Sequence, residues 1–85
     1  MIRQMPNIMV VLKIAKLYPK KMSIIAIEDE DTHKWSSAIM EVKNGYLADA
    51  IYAFDDYTYN SDQEAIDAMD KLISDVLNSI RVMSN

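Results

Sequence analysis

Asn7-Ile8-Met9-Val10-Val11-Leu12-Lys13-Ile14-Ala15-Lys16-Leu17-Tyr18 is the stretch on which the fold turns. Read as a strand it is rich in β-branched residues, but Lys13 and Lys16 would fall on opposite faces. Read as a helix, Met9, Lys13 and Lys16 share one narrow arc, and Ile8, Val11, Leu12, Ile14, Ala15 and Tyr18 cover the rest. Asn7 can serve as the N-cap, Pro6 lies just outside it, and Pro19 ends the run. Periodicity favours the helix and propensity favours the strand. The helix is the reading adopted here, which makes the element order αβββα. The strand reading would make it ββββα.

The three strands are easier to read. Asn44-Gly45 supplies the two positive φ angles of a type I′ turn, between flanks Trp35 to Lys43 and Tyr46 to Phe54. Lys43 opposite Tyr46 puts Val42 opposite Leu47, Met40 opposite Asp49 and Ala38 opposite Ile51. The second face then holds Trp35, Ile39, Tyr46, Ala48, Ala50, Tyr52 and Phe54. Both faces carry apolar residues, whereas a sheet wet on one side should alternate more cleanly. One face can take a helix. The other needs the N-terminal segment, a second subunit or a partner. Met22 to Glu28 reads as a further strand by its isoleucines. The polar run Asp29 to His33 turns it into the Trp35 strand.

A helix over about 62 to 82 closes the chain. Ser61 and Glu64 have capping-box spacing. Ile66, Met69, Ile73, Val76, Ile80 and Met83 recur at helical steps, and Ala65, Leu72 and Leu77 widen the stripe. Asp62, Glu64 and Asp67 suit the positive end of the helix dipole and Arg81 the negative end. Asp67 and Lys71 form a favourable i,i+4 pair. The expectation is one small α+β domain over residues 1–85: a three-stranded antiparallel sheet, a long C-terminal helix and an N-terminal helix.

Composition agrees. The chain has 85 residues, of which 51% are hydrophobic and one is glycine. That excludes disordered tails and collagen-like repeats. With no cysteine there are no disulfides, thiolate zinc sites or cysteine nucleophiles. No apolar run approaches a membrane span and no signal peptide opens the chain, so a soluble cytoplasmic protein is expected. The net charge of -4 is unevenly spread. Residues 1–27 hold Arg3, Lys13, Lys16, Lys20 and Lys21 and no acid. All 13 acidic residues lie in 28–85, against Lys34, Lys43, Lys71 and Arg81. Such asymmetry suggests patches of opposite sign. The acidic part would repel nucleic acid, whose binding depends on phosphate neutralisation, so direct nucleic-acid binding is not expected.

Candidate chemistry is thin. His33, the one histidine, lies in the acidic turn Asp31-Thr32-His33-Lys34 and reads as a solvated residue rather than a general base. Glu28-Asp29-Glu30-Asp31 lacks the glycine of a calcium loop, as does Asp55 to Asp67. No metal, no cofactor and no enzymatic activity are expected. The linker from last strand to last helix is more informative. Asp55, Asp56, Tyr57, Tyr59, Asp62, Glu64 and Asp67 combine acidity with two aromatics that the core pattern does not claim. Tyrosine suits interfaces because it offers apolar area with a polar tip. The alternative is that both tyrosines fold back to seal the core edge. Met5, Met9 and Met83 read as flexible filler or as an adaptable surface.

The αβββα order with an acidic strand-to-helix linker resembles that of small phage anti-CRISPR inhibitors. That resemblance implies an acidic surface that occupies a nuclease's nucleic-acid site. The βββα part with its helix Glu64-Ala65-Ile66, Asp67-Ala68-Met69, Lys71-Leu72-Ile73 is similar to HicB-type antitoxin domains, without their Pro-rich loop. That resemblance implies a homodimeric regulatory or structural domain. Double-stranded-RNA-binding domains share the order but use basic loops where this chain is acidic. The expectation is a non-enzymatic module that presents carboxylates to a protein partner with a basic, nucleic-acid-binding groove. The alternative is a homodimer.

Overall fold

A computed structural model describes residues 5–84, with the side chains of 83 and 84 outside the description. Arg3, and the side chain of Met83, therefore lie outside the described residues. The order is α1 (Ile8–Leu17), β1 (Met22–Glu28), β2 (Trp35–Lys43), β3 (Tyr46–Ala53) and α2 (Asp62–Ser84), which is αβββα. The N-terminal stretch is a helix because its ends are capped and only one face needs cover. Asn7 Oδ1 accepts from the Val10 amide at 3.1 Å, and the Tyr18 amide donates to the Ile14 carbonyl at 2.9 Å. Val11, Ile14 and Leu17 are buried. Ile8, Leu12 and Tyr18, apolar residues outside the Met9, Lys13 and Lys16 arc, are exposed. The helix has one buried face, and these three side chains point away from it.

The sheet is antiparallel in the order β1-β2-β3. Met22 pairs with Glu41, Ile24 with Ile39 and Glu28 with Trp35. The turn into β3 has Asn44 at φ 54° and Gly45 at φ 81°, as a type I′ turn needs. The register of the hairpin departs from the simple ladder. Val42 faces Leu47 and Lys43 faces Tyr46, but Met40 faces Ala50, Ile39 faces Tyr52 and Ala38 faces Ala53. Two irregularities, between Met40 and Val42 and between Ile39 and Met40, lengthen β3 relative to β2. They take the charged Asp49 away from Met40 and keep Tyr52 beside Ile39 on the core side.

Both helices lie on one face of the sheet. α2 packs on β1 and β2, and α1 packs on α2 and β3. The core joins Val11, Ile14, Ile39, Phe54, Met69, Leu72, Ile73 and Val76. Ser37, fully buried, donates from Oγ to the Ala65 carbonyl at 2.7 Å and so ties the first turn of α2 to the middle of the sheet. The molecule is only 18 Å thick in its thinnest direction, against 45 and 35 Å in the others. That thickness accommodates two layers, and no helix packs on the sheet's other face, although Ser36 and Ala38 of the central strand are buried there. Ile25, Ile27, Met40 and Val42 are half-buried on that face and Leu47 is exposed.

Candidate functional site

The strand register decides where the charges go. Glu28 faces Trp35, so the β1–β2 turn lies at the end of the sheet where β2 begins. The β3–α2 linker returns to the same end. The Trp35 amide donates to the Tyr59 carbonyl at 2.8 Å, and the Tyr59 amide donates back to the Trp35 carbonyl at 3.1 Å. Lys34 Nζ donates to Asn60 Oδ1. The acidic run Glu28 to Asp31 therefore stands beside the acidic linker, although 24 positions separate Asp31 from Asp55 in the chain. That meeting is absent from the sequence reading, which treats the two runs separately.

Within the turn, Asp29 Oδ1 accepts from the Asp31 amide at 2.9 Å, and the Asp29 carbonyl accepts from the His33 amide at 2.8 Å. His33 takes a left-handed φ of 59° and is exposed. Its Nδ1 lies 3.3 Å from Glu28 Oε2. Glu28 is the side-chain partner of the exposed ring among the described residues. Among the described residues, no three metal-ligating side chains stand close enough together to hold an ion.

The linker residues divide by role. Asp55 and Tyr57 are exposed and Asp56 is half-buried. Tyr59 is half-buried against the core, with its ring 6.0 Å from that of Phe54. Thus Tyr57 is the aromatic left on the surface, and Tyr59 seals the core edge. Glu64 receives the Asn60 amide on Oε2 at 2.9 Å, and its own amide donates to Ser61 Oγ at 3.2 Å. This is a capping box displaced by one residue on its return arm, to Asn60 rather than Ser61. Asp62 Oδ1 accepts from the Gln63 amide at 2.7 Å, and Asp67 Oδ1 accepts from Gln63 Nε2 at 2.8 Å. Each of these three carboxylates uses one oxygen in holding the first turn of α2, and all three residues are exposed.

The opposite end of the sheet is basic. An open groove of about 770 Å³ runs between the C-terminal half of α1 and the hairpin tip, lined by Lys13, Lys16, Lys20, Lys21 and Lys43. Glu41 is the one carboxylate lining it, 3.6 Å from Lys13 Nζ. The Val42 amide donates to the Lys21 carbonyl at 2.9 Å, which fixes the lysine pair beside the tip. Lys43 belongs to the acidic part of the sequence, and only the fold brings it to the N-terminal lysines. β2 spans roughly 27 Å at ~3.4 Å per step, about three screening lengths of ~8 Å at physiological salt. The acidic and basic ends thus act as separate surfaces.

No family model matches this chain, and no curated protein or solved structure matches it either. Among the described residues, no helix is long and apolar enough to cross a membrane.

Proposed function

We propose that this protein is a non-enzymatic binding module whose acidic end docks on the basic surface of a partner protein, the kind of surface that otherwise holds phosphate. One observation carries the reading: the Glu28 to Asp31 turn and the Asp55 to Glu64 linker converge on one end, joined through Trp35 and Tyr59. Carboxylates on two rigidly connected loops can meet several lysines or arginines at once. An excess of negative charge on a compact end, where Lys34 is the basic residue among the carboxylates, raises the rate of encounter. Tyr57, exposed among them, offers apolar area at low entropic cost. The mechanism is occlusion, in the manner of small phage inhibitors that cover a nucleic-acid groove. The test uses an oligoarginine peptide as the stand-in for such a groove. Amide shifts on titration should concentrate in residues 28–31 and 55–64. Shifts spread over the sheet and α2 alike would overturn the reading.

A second reading rests on the uncovered sheet face. Ile25, Ile27, Met40, Val42 and Leu47 give it an apolar surface with no helix over it. A second copy could pack there face to face, as two sheets do at a separation of about 10 Å. The result would be a homodimeric regulatory or structural domain whose acidic ends remain free.

A further inference from the structure

We infer that the basic end is a docking surface for an anionic lipid bilayer, with the lysine groove taking phosphate headgroups and the outer arc of α1 resting in the acyl boundary. The inference is independent of the acidic end.

Two observations meet at this end. The first is charge: Lys13, Lys16, Lys20, Lys21 and Lys43 line one groove that only Glu41 offsets. Among the described residues, the one carboxylate paired with any of them is Glu41, on Lys13. Asp70 lies near Tyr18, Pro19 and Met22 in a neighbouring crevice, outside the groove. The second is apolar exposure on the same helix. Ile8, Met9 and Leu12 are 57%, 74% and 55% exposed, and Met5 just before the helix is 43% exposed. Ile8, Leu12 and Lys16 form one row at i,i+4 spacing, and Met9 and Lys13 form the next. Each row is apolar toward its start and ends on a lysine. Across the groove, Tyr46 stands 77% exposed at the hairpin tip, cross-strand from Lys43. Apolar side chains therefore flank the lysines on both sides.

That combination selects among occupants. A second copy seated α1 on α1 would set lysine against lysine, and one seated with its acidic end in the groove would leave the aliphatic row of α1 in water. A nucleic acid would use the ammonium groups and could stack a base on Tyr46, but would leave the aliphatic row of α1 in water. An anionic bilayer uses both. Lysines near the surface of such a membrane are each attracted to it, and leucine, isoleucine and methionine beside them enter the boundary between headgroups and chains. The acidic end, roughly 27 Å away along β2, is repelled by the same surface. The charge distribution thus favours one orientation, with α1 down and the linker facing solvent.

The experiment is sedimentation of the full chain with vesicles at low and high salt. Three probes are compared: phosphatidylcholine alone, phosphatidylcholine with phosphatidylserine, and a duplex DNA oligonucleotide by anisotropy. Co-sedimentation is expected only with the serine-containing vesicles, and should fall as salt rises. Lys16→Gln with Lys20→Gln should weaken it roughly 30-fold. Met9→Ser with Leu12→Ser leaves the charge unchanged and should weaken it roughly tenfold. Glu41→Gln removes the opposing carboxylate and should strengthen it several-fold. These side chains are exposed apart from Glu41, and far-UV circular dichroism is the check that each variant folds. Absence of co-sedimentation at low salt would overturn the inference. So would binding that the Met9 and Leu12 changes leave untouched, or DNA binding tighter than vesicle binding.

Discussion

Gly45 and Ser37 show how much of this fold rests on single residues. Gly45 sits at φ 81°, where a side chain strains the backbone, yet a Cβ added there would meet nothing within 4 Å. The cost of Gly45→Ala is therefore conformational rather than steric, about 1–2 kcal/mol. Urea unfolding should show a lower midpoint with an unchanged slope. Ser37 is a different case, because its hydroxyl is fully buried and bonded to the Ala65 carbonyl. Ser37→Ala removes a hydroxyl whose acceptor belongs to a helix and keeps its backbone partner. The loss should be about 1 kcal/mol by the same measurement. Tyr59 is legible in sequence only as one of two alternatives, interface or core edge. What decides it is the pair of backbone hydrogen bonds to Trp35, a contact no local pattern announces. Tyr59→Ala keeps those bonds but removes the ring packed beside Phe54 and should lower stability, whereas Tyr57→Ala should leave it within about 0.5 kcal/mol of the parent.

At the scale of elements, caps and turns carry the legible part. Asn7, Asn44-Gly45 and the Ser61–Glu64 pair each mark an element end that the structure shows in place. Their signals are local, so a single sequence contains them. The β2–β3 register is not local in that sense. Its first two pairs follow from the turn, but the irregularities beyond Val42 depend on which side chains the helices will bury. Tyr52 must stay beside Ile39 and Phe54 must reach the core, and the strand takes up extra residues to allow both. Ser61→Ala removes the acceptor of the Glu64 amide and should cost about 1 kcal/mol. Asp55→Lys, at an exposed position outside any cap, should leave the unfolding midpoint nearly unchanged.

Over the whole molecule, the uneven charge of the sequence becomes two opposed ends. The sign of each part was readable from composition. Its partners in space were not, because the joining of 28–31 to the linker, and of Lys43 to the N-terminal lysines, depends on strand register and on the placing of α1. The uncovered sheet face belongs to this scale too. Its footprint is on the order of 400 Å² per copy from three strands at ordinary spacing. Stable interfaces bury about 800 Å² per partner, so a dimer formed there should be weak. Light scattering should show a molar mass that climbs toward the dimer as concentration rises through tens of micromolar and above. A mass that stays monomeric throughout would remove the dimer reading without touching the charged ends.

The central claim is that the acidic end is the docking face. Association kinetics on an immobilised oligoarginine surface test it most directly, with the parent chain compared to Asp55→Lys/Asp56→Lys and to Lys16→Gln/Lys20→Gln. The on-rate of the parent should fall steeply as salt rises, because exposed charges are screened over about 8 Å at physiological salt. Reversal of the two aspartates should lower the on-rate roughly tenfold, and loss of the two lysines should leave it unchanged or raise it. An on-rate insensitive to the aspartate reversal would contradict the account.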